Sequence, residues 1–170
     1  AADYFLQDLE ICRSLGDLRG EGLSLSNLGL ALAEQGSWEE ASRLLEESLE
    51  IFQRLSDPRA QATLWASLGS VYARLNRWLE AESAFAKSLD TFAMPVDARS
   101  IAVVRQERGI LLERIGKPIG AREEYEAALK IYESLGPDAE QEWLFAAANF
   151  ANVLRQQGEV ARSLSLFREV

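Results

Sequence analysis

The feature that most limits what this chain can fold into is a recurrence. Leu28-Gly29, followed by Gly36 and Ala41, returns 40 residues later as Leu68-Gly69, Asn76 and Ala81, and again as Arg108-Gly109, Gly116 and Ala121. A fourth copy, Phe150-Ala151, Gly158 and Ser163, is displaced by 42 residues. The register also runs backwards, since Ala1 stands 40 residues before Ala41. A period of this length belongs to a stacked array, in which each unit buries its apolar face only against its neighbours.

Within one period the pattern reads as two helices. Leu25, Leu28, Gly29 and Leu32 share one helical face; after Gly36, the residues Trp38, Ala41, Leu44, Leu45 and Leu49 form the facing stripe. Gly36, Asn76, Gly116 and Gly158 stand at the corner between the two. Gly and Asn most readily adopt the left-handed conformation that ends a helix. Asp17, Asp57 and Asp97 recur just ahead of a helical pattern, where a short carboxylate caps free N–H groups, and Pro58 suits a first turn. Gly136-Pro137-Asp138 carries the extra residues of the last spacing. The small residues Gly29, Gly69, Gly109 and Ala151, set against Ala41, Ala81, Ala121 and Ser163, allow paired backbones to approach closely. The expected helices are 18–35, 38–54, 58–75, 78–93, 97–115, 118–134, 138–157 and 160–169, after a first helix over 2–15.

Composition bears on function mainly by exclusion. The sequence has no His, which removes Ser-His-Asp and Cys-His catalysis and the commonest metal ligand. No phosphate-binding glycine loop is present, and no carboxylate pair is set apart in an apolar surround, so the chain is expected to be no enzyme and to need no metal or cofactor. A net charge of −9 argues against a nucleic-acid backbone as partner. The single Cys12 forms no internal disulfide and fits a reducing, cytoplasmic setting. The most apolar stretch, Trp143 to Leu154, is broken by Asn149 and Asn152 and is too short to span a bilayer. Opening mid-repeat on Ala1, without an initiator Met, the chain reads as part of a longer protein.

These landmarks resemble the tetratricopeptide repeat, whose pattern is a large residue, Leu-Gly, an aromatic, then Ala, an aromatic and Ala. The second copy matches best, with Trp65, Leu68, Gly69, Tyr72, Ala81, Phe85 and Ser88. The first reads Leu25, Leu28, Gly29, Leu32, Ala41, Leu45 and Ser48. The third departs at Arg105 and Arg108 but keeps Gly109, Leu112, Ala121, Tyr125 and Ala128; the fourth has Ala147, Phe150, Ala151, Leu154, Ser163 and Phe167. The family's usual unit is about 34 residues, and this one is longer. Forty-residue versions of the family occur in polarity and motor-adaptor scaffolds and in bacterial regulatory proteins. The phrase Leu15-Gly16-Asp17-Leu18-Arg19, echoed by Leu55-Ser56-Asp57-Pro58-Arg59, looks most like the bacterial group.

The resemblance implies an all-α, right-handed superhelical solenoid of helix pairs forming a single domain over 1–170. Residues 1–16 would be the second helix of a preceding repeat, and the repeats would run 17–56, 57–96, 97–137 and 138–170. It further implies a protein-binding scaffold in which the first helices of successive repeats line a concave groove for a peptide or protein segment. The groove positions are then Leu23, Asn27 and Leu30 in the first repeat, and Ser70 and Arg74 in the second. Gln106, Ile110 and Arg114 follow in the third, and Phe145, Asn149 and Asn152 in the fourth. Small residues of the second repeat between Leu30 and Ile110 suggest a shallow pocket. The amides of Asn27, Gln106, Asn149 and Asn152 suit an extended peptide backbone, and Arg74 with Arg114 suits a carboxylate.

The Lys/Asn/Arg carboxylate clamp of chaperone-binding members is not expected, because its Lys positions hold Ser26, Ala66, Gln106 and Ala148. Trp38, Trp78 and Cys12 read as packing residues, and Glu39-Glu40, Glu46-Glu47 and Glu123-Glu124 as solvated outer faces. Two rival readings stand beside the scaffold. One is an effector-sensing segment of a bacterial STAND-type ATPase or transcription regulator. The other is a self-associating module stacking through Phe5, Leu9, Leu164 and Phe167.

Overall fold

The structure, a computed structural model, describes residues 2–92 and 98–165. Its elements are α1 (Ala2–Leu15), α2 (Leu18–Glu34), α3 (Trp38–Arg54), α4 (Pro58–Arg74), α5 (Trp78–Thr91), α6 (Ala98–Arg114), α7 (Pro118–Leu135), a 3₁₀ turn (Gly136–Ala139), α8 (Glu140–Gln156) and α9 (Val160–Ser165). The chain is an all-α solenoid of helix pairs: α2 packs on α3, α4 on α5, α6 on α7 and α8 on α9. Helices α1 to α5 form one compact unit and α6 to α9 a second. The observed ends lie within two residues of the expected ones, apart from the last, expected at 169, which lies outside the described residues; the largest shift of a helix start, two residues, comes where the chain enters α8. There the 3₁₀ turn takes up the two extra residues and buries Ala139.

The corners explain why the period is so regular. Gly36, Asn76, Gly116 and Gly158 all have positive φ (85°, 59°, 74° and 83°). At each, the next N–H reaches back to close the helix: Ser37 to Leu32 O, Arg77 to Tyr72 O, Lys117 to Leu112 O and Glu159 to Leu154 O, at 2.8–2.9 Å. This is the Schellman closure, and it needs a residue that tolerates the left-handed region. The corners between repeats do the same at Gly16 and Ser56, where Asp17 N–H reaches Cys12 O and Asp57 N–H reaches Phe52 O. Each Asp then serves the next helix as well, its carboxylate accepting from Gly20 N–H at 2.9 Å or from Ala60 N–H at 3.1 Å. One residue thus ends a helix and starts another. Asp97 lies outside the described residues.

Inside each of the first three pairs a glycine makes room for a large partner. A Cβ on Gly69 would come within 2.6 Å of the Phe85 ring, and one on Gly109 within 2.8 Å of the Tyr125 ring. On Gly29 it would meet only Leu45 at 3.0 Å and the Ala41 carbonyl at 3.3 Å. Ala41, Ala81 and Ala121 are fully buried opposite. Buried serines tie the paired helices: Ser48 donates to Gly22 O (2.7 Å), Ser88 to Ala62 O (2.8 Å) and Ser163 to Ala151 O (3.0 Å).

Two expectations need correction. Leu9 is not an exposed end residue; it is buried with Leu25 and Ile51. The apolar side chains that α1 leaves exposed are Tyr4, Leu6, Ile11 and Leu15, while the side chain of Leu164 and the whole of Phe167 lie outside the description. Nor do the glutamate pairs all face solvent. Glu46 is half-buried and accepts from the Tyr72 hydroxyl at 2.8 Å, and Glu124 is buried, whereas Glu47 stays exposed while it pairs with Arg13 at 2.6 Å.

Candidate functional site

In the first unit the first helices of two repeats, α2 and α4, touch along one seam. Leu23, Asn27 and Leu30 are exposed on α2, and Arg74 is exposed on α4 with its guanidinium 5.7 Å from the centre of the Trp38 ring. Ser70 is half-buried and donates to Ala66 O, as Thr63 and Ser67 donate to Arg59 O and Thr63 O. These hydroxyls spend their protons on their own helix.

A pocket of about 300 Å³ opens at the start of this seam, lined by Arg19, Leu23, Ser26, Phe52, Asp57, Arg59, Ala60, Thr63 and Leu64. It lies a helical turn or two before the expected place beside Leu30, and it shares Leu23 with the expected groove. Its floor is apolar, since Phe52 and Leu64 are core residues. Its charged edge is built on Asp57, which Arg19 approaches at 2.5 Å. The Ala60 N–H, followed by Arg19, holds the Asp57 carboxyl below its ordinary range. Arg19 also lies 5.9 Å from the centre of the Phe52 ring.

The corresponding seam of the second unit, between α6 and α8, is filled by side chains in a fixed register. Arg99 bonds Glu142 and Glu113 accepts from Gln156 at 3.1 Å, each pair 43 residues apart. Gln106 and Asn149 occupy the same register midway, seven residues from either flanking pair. That middle rung is not closed: Gln106 Oε1 and Asn149 Nδ2 are both buried and bond no described residue. Glu113 also accepts from Asn152 at 2.9 Å and from the Tyr125 hydroxyl at 3.4 Å. Ile110 is half-buried and Phe145 is exposed on this side. Arg114 is exposed and engaged in a contact of its own.

The second unit also explains the two departures from the repeat pattern. Arg105 and Arg108 replace Leu or Trp at positions held by Leu25, Trp65, Leu28 and Leu68. Both close on Glu124, at 3.0 and 2.7 Å, and Glu124 stands where the first repeats have Leu44 and Ala84. A buried carboxylate held by two guanidiniums has replaced an apolar contact. Sequence reading took Glu124 for a surface residue; its coincidence with two arginines in apolar positions was the signal available. Burial also raises the Tyr132 phenol to about 12 and pushes the Tyr125 and Tyr72 phenols up as well.

Among the described residues no group of three or more His, Cys, Asp or Glu is placed to hold a metal ion. None of the described helices is long and apolar enough to cross a membrane. Cys12 is half-buried with its sulfur against Gly20.

The family model described as tetratricopeptide repeat matches residues 1–54 and 21–94, together more than half of the chain. The chain belongs to the tetratricopeptide repeat family. No curated protein matches it. Among solved structures, BtubC from P. vanneervenii superposes with a TM-score of 0.81 at 17% identity, over 95% of this chain and 74% of that one. A Podosopora anserina protein of the kinesin light chain type, made of nearly identical TPR-like repeats, gives 0.80 at 16%, over 99% and 82%. YrrB, a TPR protein with an unusual peptide-binding site, gives 0.68 at 21%, over 99% and 73%. At these identities the likeness establishes the fold. As a tetratricopeptide module, the chain is a helical scaffold of the kind that mediates protein and peptide binding through a repeat groove.

Proposed function

We propose that this tetratricopeptide module binds extended peptide segments on the faces that the first helices of its repeats line in each unit. Leu23, Asn27, Leu30, Ser70 and Arg74 contribute in the first unit; Gln106, Ile110, Arg114, Phe145, Asn149 and Asn152 contribute in the second. The observation that carries this reading is the open middle rung of the α6–α8 ladder. An acceptor on Gln106 and a donor on Asn149 bond no described residue, and a peptide group that meets these side chains once they swing out of the seam offers the complement of both. An unmet buried polar group costs about 1–3 kcal/mol, so a partner that supplies both bonds is favoured at this rung.

Replacing both amides with apolar side chains of similar size separates binding from folding. Gln106→Leu/Asn149→Leu should fold with little loss of stability, because the two polar groups leave together. Peptides selected on the native chain from a phage-displayed random dodecapeptide library should bind this variant about tenfold more weakly, a difference of about 1.4 kcal/mol. Unchanged binding would remove the rung from the site.

Self-association is a second reading, supported by the exposure of Tyr4, Ile11 and Leu15 on α1. Ile51, the counterpart of Ile11 one repeat later, is buried. Sedimentation velocity of the native chain against Ile11→Glu tests it, and a concentration-independent monomer in both would dismiss it.

A further inference from the structure

We infer that the pocket between α2 and α4 is an acidic-residue subsite: it takes a partner's Asp or Glu carboxylate on Arg19, with a neighbouring aliphatic side chain of the same peptide on Leu23 and Phe52. The inference rests on the groove reading above and names the chemistry of the segment bound at this end.

The second unit supplies the template. Arg19 and Arg99 are repeat equivalents, each on the first turn of the first helix of its pair. Arg99 is met by the carboxylate of Glu142, on the next first-helix. With the repeat displacement of 40, and 42 for the last repeat, the counterpart of Glu142 in the first unit is Ala60. Ala60 lines the pocket, and the volume of about 300 Å³ opens where its methyl stands in place of a glutamate. The first unit therefore has the cation and the space but lacks the Glu142 carboxylate; Asp57, whose counterpart in the last repeat is Ala139, bonds Arg19 from the edge and leaves that space open.

Charge points the same way. Two arginines line the pocket: Arg59 is engaged in a contact of its own, whereas Arg19 makes a single bond to Asp57. Asp57 does not exhaust Arg19. Its Oδ1 accepts from the Ala60 N–H, a single Arg19 nitrogen bonds Oδ2, and the Arg19 side chain keeps 63% of its surface exposed. A guanidinium has five N–H donors in a planar fork, so Arg19 can hold a second carboxylate without giving up Asp57. The apolar requirement comes from the walls: Leu23 is half exposed above a floor of Phe52 and Leu64. A carboxylate alone would leave that surface wet.

The decisive variant is Ala60→Glu. It installs the Glu142 equivalent, fills the pocket and gives Arg19 an internal partner. It also places Glu three residues after the Asp57 cap, where a first-turn glutamate favours the helix, so folding is preserved and circular dichroism confirms it. A phage-displayed random dodecapeptide library is selected on the native chain, on Ala60→Glu and on Gln106→Leu/Asn149→Leu. The expected result is enrichment of Asp or Glu beside Leu, Ile, Met or Phe on the native chain, retained on Gln106→Leu/Asn149→Leu and lost on Ala60→Glu. A recovered peptide should bind Ala60→Glu and Arg19→Gln at least about tenfold more weakly by fluorescence anisotropy. Enrichment without acidic residues, or enrichment undiminished on Ala60→Glu, overturns the subsite and leaves the groove reading standing. No enrichment on the native chain overturns both.

Discussion

The two units use the same helix pairs and differ in what they put between them. The α2–α4 seam carries Arg19, Ser26 and Ser67, and a pocket opens where Arg19 and Ser26 meet Ala60. The α6–α8 seam puts Arg99, Gln106 and Asn149 at the equivalent positions, with Glu142 in place of Ala60, and side chains span the seam. The contrast continues behind the seam, where the first unit packs Leu25 and Leu44 in a common apolar cluster and the second packs Arg105 and Arg108 on Glu124. Backbone geometry in a repeat array is thus a constant, and its surface chemistry is set by a few substitutions per repeat.

The sharpest way to break this contrast is to remove its most buried charge. Glu124→Ala strands two guanidiniums that keep only 34% and 26% of their side-chain surface exposed. The expected loss is about 3 kcal/mol in urea unfolding, the low end for a broken buried pair because both arginines can reach some solvent. Rebuilding the first unit's chemistry with Arg105→Leu/Arg108→Leu/Glu124→Leu should recover native stability or exceed it, since a well-packed apolar set commonly replaces a buried ionic one without loss. If Glu124→Ala costs under about 1 kcal/mol, the triad is a surface feature and the contrast fails.

The next effect follows from the tyrosines. Tyr132 is buried with its hydroxyl unpartnered among the described residues, whereas Tyr72 donates to Glu46 at 2.8 Å. In the unfolded chain a phenol ionises near 10, while in the folded second unit burial raises Tyr132 to about 12. The neutral phenol is therefore favoured by folding. Ionisation costs the fold roughly 2 to 3 kcal/mol, a loss that is absent below pH 10 and develops as pH rises toward 12. Tyr132 should therefore ionise near pH 12 in the folded chain and near 10 once urea has unfolded it, as read from phenolate absorbance. Tyr132→Phe should leave stability at neutral pH unchanged or slightly raised, whereas Tyr72→Phe should cost about 1 kcal/mol for its lost hydrogen bond. Equal costs would mean that the two hydroxyls are equally well satisfied.

The features that could be read from the sequence were those fixed by the backbone. Gly36, Asn76, Gly116 and Gly158 mark corners because few residues accept a positive φ, and Asp17 and Asp57 mark helix starts because few side chains cap. Both requirements are local, so residue identity reports them directly. Ser56 was legible only by its alignment with Gly16, since serine rarely announces a left-handed corner. The seams were harder. Leu23 was placed on the groove face by the family resemblance, but the pocket beside it depends on Ala60 standing opposite Arg19 across two helices. Glu124 depends on Arg105 and Arg108 sixteen or more residues away. Such pairings follow from register between helices, which a single strand of residues does not display until the helices are placed.

A glycine comparison within the first unit gives a smaller effect. A Cβ on Gly69 meets the rigid Phe85 ring at 2.6 Å, while one on Gly29 meets the flexible Leu45 side chain at 3.0 Å. Alanine gains about 1 kcal/mol over glycine in a helix interior, and overpacking costs about 1 to 3 kcal/mol. Gly69→Ala should therefore be net destabilising by about 1 kcal/mol, and Gly29→Ala close to neutral, as read from urea midpoints. If both are neutral, the Phe85 ring moves freely and the glycine is not what sets the approach of α4 and α5.

The smallest expected effect tests the constancy of the backbone itself. Asn76 is the one corner of its class without glycine, yet its φ of 59° and the Arg77 N–H bond to Tyr72 O match its three counterparts. An asparagine in the left-handed region carries a Cβ close to the following carbonyl, a crowding that glycine lacks. Glycine repays part of that relief through the extra freedom of its unfolded chain. Asn76→Gly should thus stabilise by no more than about 0.5 kcal/mol, whereas Gly116→Ala, which demands the same conformation of a residue with no polar side chain to ease it, should cost about 1 kcal/mol. Nothing crowds Gly116, since no atom lies within 4 Å of its Cβ position. The difference is therefore backbone strain alone, and equal stabilities for Gly116→Ala and the native chain would show that the corner can close with another φ. In that case the 40-residue recurrence would owe its regularity to packing at Gly69 and Gly109 and not to its corners.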